Sequence, residues 1–302
     1  MSASVLIYNP RAGRVLRRPG VVQHIEAALR PAFGDVRPVP TEGPDTAGGI
    51  ATREIAAGAT TVFVCGGDGT INEVAQALEG TEVPLGALPG GTACVLANEL
   101  GLGNDPGRAA ELLASAEPRA IAAGRLRRPD GSSRLFLLMA GIGFDARIVH
   151  GLDLKLKDRF GKLAYWAGAL GQLGAKLEEI DVTVDGSTHR CTFALVSRAR
   201  NYGGDVDLAK GASLLSESFE LLLFEGRSVF RFPFYFAAIV AGLAKRTPGL
   251  AVMTTSRVEI APASGESPAH VQIDGEYAGT IPASFEIVPS AVRLLVPRTF
   301  RG

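Results

Sequence analysis

Val62-Phe63-Val64-Cys65-Gly66-Gly67-Asp68-Gly69-Thr70-Ile71-Asn72-Glu73 is the segment on which the fold assignment turns. A short apolar run enters three glycines, a carboxylate and a hydroxyl. Ile71, Val74 and Leu78 then recur at the spacing of one helix face. Further apolar runs at 4–8, 36–39 and 83–88 alternate with helical patterns near 21–32, 46–57 and 70–78. Near-continuous apolar strands separated by helices predict a parallel sheet covered on both faces. Such sheets bind ligands outside the carboxyl ends of their strands.

Those strand ends carry chemistry. Glycines in the 66–69 turn let backbone N–H groups approach an anion, and the following helix N-terminus adds unpaired N–H groups and a favourable dipole. Asp68 has the wrong sign for phosphate alone, so it implies Mg²⁺ arriving with a nucleoside triphosphate; a tight turn with Asp68 as a helix cap is the plainer reading. The next strand repeats the device at Pro89-Gly90-Gly91-Thr92, where Thr92 is a natural cap for a helix over 93–100. The first strand ends in Asn9-Pro10-Arg11-Ala12-Gly13-Arg14, and the second in Pro40-Thr41-Glu42-Gly43. All four ends share one edge if the sheet is parallel. The GxxxxGK[ST] phosphate loop is absent.

After about residue 124 the pattern changes. Runs at 134–140, 181–184, 191–197, 219–224, 257–261, 270–273 and 284–288 predict strands, with turn signals at Pro129-Asp130-Gly131 and Asp185-Gly186-Ser187. Helices are expected over 159–173 and 228–244. The run at 292–297 can pair with either part. The organisation expected is an α/β domain over 1–124, joined by 289–302, followed by a mostly antiparallel β-rich domain over 125–288. Gly141-Ile142-Gly143-Phe144-Asp145-Ala146 fits a dinucleotide fingerprint only in a βαβ context, which its place at a domain boundary does not supply; Asp145 reads either as part of the polar network around the metal or as a plain turn residue. The aromatic cluster from Phe230 to Phe236 reads as second-domain core, or as an apolar cleft or membrane-facing lip for a greasy substrate.

Composition narrows the function. Lys plus Arg and Asp plus Glu each number 31, so bulk charge does not drive nucleic-acid binding. Three scattered cysteines and four histidines argue against a disulfide framework and a structural zinc site. No stretch has the ~20 apolar residues of a spanning helix, and the first residues read as a strand rather than a signal peptide. A cytoplasmic protein is expected.

Taken together, these motifs resemble the diacylglycerol kinase catalytic-domain family, the bacterial lipid kinases related to sphingosine and ceramide kinases. The carriers are Asn9-Pro10-x-Ala12-Gly13, Gly66-Gly67-Asp68-Gly69-Thr70, Gly91-Thr92 followed by Ala97, Leu100 and Gly101, then Gly141 to Ala146 and the late Asp274-Gly275-Glu276. The resemblance implies a Rossmann-like nucleotide-binding domain of NAD kinase/diacylglycerol kinase type and a β-rich lipid domain, with the active site in the cleft between them. It implies ATP against Asn9, Thr41, the turn from Gly66 through Gly67, Asp68, Gly69, Thr70, Ile71 and Asn72, and Gly91-Thr92. It also implies Mg²⁺ at Asp68 and a lipid substrate met by peripheral association with a membrane surface. Transfer of the γ-phosphate to a lipid hydroxyl needs a carboxylate to accept the proton. Glu276 is the expected acceptor, with Asp274 beside it; a hairpin turn built on Asp-Gly explains the same residues without catalysis.

Two departures from the family pattern stand out. Cys94-Val95 occupies positions where the family commonly has Asn-Asp or Asn with an apolar residue. Leu215-Ser216-Glu217-Ser218 replaces a stretch that can bind a second, structural metal, and only Glu217 could stand in. The basic residues Lys155, Lys157, Arg159 and Lys162 fit anionic headgroups or a solvated helix face. The residues also fit two other functions: a kinase for a soluble hydroxyl compound such as NAD, and a non-catalytic nucleotide- or lipid-binding regulator. Diacylglycerol, a glycerolipid precursor or a long-chain base would each present a hydroxyl to the same carboxylates, and the chain is compatible with a homo-oligomer.

Overall fold

A computed structural model describes residues 3–143, 146, 177–203 and 206–301. The expected helix over 159–173, Asp145 and the basic residues from Lys155 to Lys162 lie outside them. The chain divides into two units, residues 1–122 with 289–302 and residues 123–288.

The first unit is built on β1 (Ala3–Tyr8), β2 (Val36–Pro40), β3 (Ala59–Gly66) and β4 (Leu85–Pro89). They run parallel in the order β2-β1-β3-β4. Tyr8 lies level with Pro40 and Cys65, and Gly66 with Pro89, so the four polar turns do emerge along one edge. Around the sheet lie α1 (Gly13–Leu16), α2 (Val21–Phe33), α3 (Ala47–Ala56), α4 (Asp68–Leu78), α5 (Val95–Glu99) and α6 (Pro106–Leu113). Each long helix buries a stripe: Val21, Ile25 and Leu29 in α2, and Ile71, Val74, Ala75 and Leu78 in α4. In β3, Val62, Phe63, Val64 and Cys65 are all buried, as a strand between two helical layers requires.

The second unit is antiparallel. Its six-stranded sheet runs β14-β13-β10-β7-β16-β17. These strands are β7 (Met139–Gly143), β10 (Phe193–Ser197), β13 (Phe219–Phe224), β14 (Leu250–Thr255), β16 (His270–Ile273) and β17 (Glu276–Thr280). A second set pairs β8 (Ile180–Val184) with β9 (Ser187–Cys191) and with β15 (Arg257–Pro262). The short strands β11 (Asn201–Tyr202) and β12 (Val206–Asp207) pair with each other. Strand β5 (Glu117–Arg127) pairs with β6 (Ser133–Phe136) through the Asp130-Gly131 turn. One core joins Phe136, Ile142, Val196, Phe219, Val258, Ile273 and Phe285.

Four expectations need correction. The apolar run at 134–140 is two strands, β6 and β7, because the N–H groups at 137–139 turn to a carboxylate instead of a ladder. The run at 191–197 breaks at Thr192, whose hydroxyl bonds the Phe224 and Gly226 carbonyls; β9 and β10 then pair with different partners. The runs at 284–288 and 292–297 form a single strand, β18 (Ala283–Val296), antiparallel to β15 early on and parallel to β4 at Leu294. The helix expected over 228–244 is shorter: α7 spans Phe232–Val240 between three-residue 3₁₀ turns at Val229–Arg231 and Ala244–Arg246.

Candidate active site

In the first unit the site is built from two glycine turns packed backbone to backbone. A Cβ on Gly90 would lie 2.8 Å from the Gly66 nitrogen, and one on Gly91 2.9 Å from the Gly67 Cα. Gly90 and Gly91 both donate to the Gly66 carbonyl, at 2.8 and 3.0 Å. These glycines therefore serve contact between turns, whereas a Cβ on Gly67 would meet nothing within 4 Å. Gly67 is the position with open space in front of it.

Asp68 opens α4, with Gly67 as cap residue. Its carboxylate accepts the backbone N–H groups of Val95 (2.9 Å) and Leu96 (3.1 Å), and the Cys94 thiol at 3.7 Å. The helix expected from residue 93 begins instead at Val95, and exposed Thr92 does not cap it. The cap comes from another element, Asp68. Glu73 does the same for α3, accepting from Ala47 at 2.8 Å. One helix thus supplies carboxylates to two neighbouring helix N-termini, where their charge meets the dipole. Burial, reinforced by the nearby Asp68 charge, pushes the Cys94 thiol well up, so it stays a donor.

The other predicted nucleotide residues divide by exposure. Gly67, Asp68, Gly69 and Thr70 are half-buried, while Gly66, Ile71 and Asn72 are buried. Asn72 accepts from Gln76, and Ile71 belongs to the core stripe. Asn9 folds its Oδ1 onto the Arg11 N–H and donates its own N–H to the Cys65 carbonyl. Thr41 is buried and donates to the Tyr8 carbonyl.

Arg14 is the residue that sequence reasoning passed over. Its Nη2 donates to the Thr92 carbonyl (3.0 Å) and to Asn104 Oδ1 (2.7 Å). Its Nη1 is buried without a hydrogen-bond partner among the described residues. Desolvation lowers its pKa. An unsatisfied guanidinium N–H beside two glycine turns is suited to a phosphate oxygen. A cation five residues after Asn9, in a turn at a strand's carboxyl end, was the available signal.

In the second unit Asp274-Gly275 is the two-residue turn joining β16 to β17, with φ of +48° and +82°. The Asp274 carboxylate is buried and accepts three N–H groups, from Leu137 (2.8 Å), Leu138 (2.9 Å) and Met139 (3.0 Å). It holds the break between β6 and β7. Glu276 is about one-third exposed and ion-paired to Arg134. Of the two carboxylates, Glu276 keeps access to solvent.

Arg198, fully buried, approaches Asp274 electrostatically, and its Nη2 donates to the carbonyls of Leu214 (2.8 Å) and Ser216 (3.0 Å). Burial brings its guanidinium down to about 10, so it remains charged at neutral pH. Glu217 points outward. Among the described residues no cluster of three His, Cys, Asp or Glu could hold a metal ion. The loop's inward carbonyls face a guanidinium, so the residues present do not fit the second metal expected at Glu217. They do fit one ion carried with a nucleotide, since Mg²⁺ needs only one carboxylate besides phosphates and water.

A parallel sheet with glycine turns along its carboxyl edge, in a chain that continues into an antiparallel β unit, defines a two-domain protein of the α/β plus β-sandwich class. Residues 3–126 match the diacylglycerol kinase catalytic domain, and residues 139–296 match the YegS C-terminal NAD kinase beta sandwich-like domain. The chain belongs to the diacylglycerol kinase catalytic-domain family and is a kinase of that family. A diacylglycerol kinase of Mycobacterium tuberculosis H37Rv is 27% identical over 289 residues, covering 90% of this chain and 91% of its own. The Bacillus subtilis diacylglycerol kinase is 25% identical over 307 residues, covering 99% and 97%. A crystal structure of a Bacillus anthracis diacylglycerol kinase superposes with a TM-score of 0.79 at 20% identity, covering 99% of this chain and 98% of that one.

Proposed function

We propose that this chain is an ATP- and Mg²⁺-dependent lipid kinase that transfers the γ-phosphate of ATP to a lipid hydroxyl, with diacylglycerol the first acceptor to test. The observation that carries the reading is the Arg14 guanidinium, which has an unsatisfied N–H beside the paired glycine turns. Open backbone at Gly67, the N-terminus of α4 and Arg14 together receive the triphosphate. Asp68 holds the 94–96 segment in place and is the carboxylate that would hold an ion arriving with the triphosphate. Bound Mg²⁺ neutralises charge on the phosphates.

Glu276 accepts the proton of the attacking hydroxyl as the new P–O bond forms and the bond to the leaving diphosphate breaks. Asp274, committed to three N–H groups, sets the turn that presents it. A membrane-borne substrate brings with it peripheral association with a bilayer.

The nucleotide half is tested by steady-state kinetics on Arg14→Met. Losing a charge-assisted phosphate contact raises KM for ATP by about tenfold or more. An unchanged KM contradicts the placement.

A further inference from the structure

Helix α7 is apolar on every side, Phe232-Pro233-Phe234-Tyr235-Phe236-Ala237-Ala238-Ile239-Val240. Its inner face is accounted for. Phe232, Tyr235, Ala238 and Ile239 are buried. The Phe232 ring stacks 5.7 Å from Phe224, and the Tyr235 hydroxyl donates to the Glu225 carbonyl at 3.0 Å.

The outer face is not. Phe230 is 72% exposed, Phe234 62%, Val240 58% and Leu243 48%. Four of the seven large hydrophobic side chains exposed among the described residues thus fall within this one segment. Scattered exposed apolar residues are ordinary, but a concentration on one helix face marks an interaction surface. A helix apolar all round is normally covered.

Charge selects what covers it. Between Glu225 and Glu259 the chain has no Asp or Glu. Arg231, Lys245 and Arg246 are exposed on the 3₁₀ turns that flank α7, and Lys210 donates to the Val240 carbonyl at the helix end. Arg227 is excluded from this set because it pairs with Glu179 and Glu266. A second copy docked face to face would set these cations against themselves, since a two-fold interface repeats one patch on both sides. Aromatic side chains ringed by cations suit the boundary between acyl chains and anionic headgroups.

We propose that α7 and its flanking turns form a surface that seats the protein on an anionic lipid bilayer, with Phe230 and Phe234 entering the acyl boundary and Arg231, Lys245 and Arg246 meeting headgroup phosphates. The surface argument stands on exposed residues alone; its bearing on turnover rests on the lipid-kinase reading.

The test is sedimentation of the full chain, without nucleotide, with vesicles of phosphatidylcholine alone or mixed with phosphatidylglycerol. Wild type should favour the anionic vesicles. Phe230→Ser/Phe234→Ser and Lys245→Glu/Arg246→Glu should each weaken that binding by about tenfold or more. Since all four side chains are exposed, melting temperatures should stay at the wild-type value. Phosphorylation of a short-chain, water-dispersed diacylglycerol should also persist in both variants. Equal vesicle binding by wild type and both variants overturns the proposal. So does a wild-type dimer in sedimentation equilibrium that Phe230→Ser/Phe234→Ser dissolves with no effect on vesicle binding. Vesicle binding that behaves as expected, in a protein that phosphorylates no lipid, sinks the lipid-kinase reading and leaves the surface standing.

Discussion

Arg198 shows how much one side chain can carry. Its guanidinium occupies the interior of the second unit, bonded to two carbonyls of the 214–216 loop and near the Asp274 carboxylate. Arg198→Met leaves those two carbonyls without their donor. A buried acceptor left unsatisfied costs about 1–3 kcal/mol, so urea denaturation of this variant should show a loss of that order or more. A loss below about 1 kcal/mol, typical of a surface site, contradicts the assignment. None of this was legible in the sequence, where Ser197-Arg198-Ala199 looks like the polar end of a strand. Asp274 is a similar case: an Asp-Gly pair announces a hairpin, but not that its carboxylate gathers three N–H groups from residues 137–139.

At the scale of elements, the parallel strands were legible because β1, β3 and β4 are nearly all apolar and end in glycine or polar turns. The contact between the 66–67 and 90–91 turns was not, because close backbone approach depends on two glycine pairs far apart in sequence. Gly90→Ala forces a Cβ to 2.8 Å from the Gly66 nitrogen and should lower the melting temperature sharply. Gly67→Ala meets open space and should melt within a degree or two of wild type, on the order of 0.5 kcal/mol or less. Equal melting of the two variants would refute the packing role.

The N-terminus of α6 gives a pH prediction. Asp105 accepts from Gly107 (2.9 Å) and Arg108 (3.2 Å) and pairs with Arg18, and the Arg18 hydrogen bond leads in holding its carboxyl below the usual range. A depressed carboxyl contributes stability that is present above its unfolded pKa, near 4, and is lost as pH falls through the folded value. Asp105→Ala should cost about 1 kcal/mol at neutral pH, the usual worth of a cap, and progressively less as the pH drops below 4. A loss that is constant with pH excludes the charged cap.

At the scale of the molecule, the change from alternating strand and helix to clustered strands was visible near residue 124, because a parallel unit needs helices between its strands and an antiparallel one does not. The long β18 was obscured by Pro289 and Ser290, which resemble a stop; Ser290 takes a φ of +49° within the strand. The family match spans both units. The motifs at Asn9, Gly66–Thr70 and Asp274–Glu276 all stand in the order that first suggested it.

The proposed function stands on transfer of phosphate from ATP to a lipid alcohol with Glu276 as proton acceptor. It is tested most directly by supplying MgATP labelled at the γ-phosphate together with diacylglycerol vesicles and NAD, to wild type and to Glu276→Gln. Label should appear in the lipid fraction with wild type, and at a rate lower by about 10²–10⁴-fold with Glu276→Gln. Label only in the NAD product, or the same rate in both proteins, would contradict it.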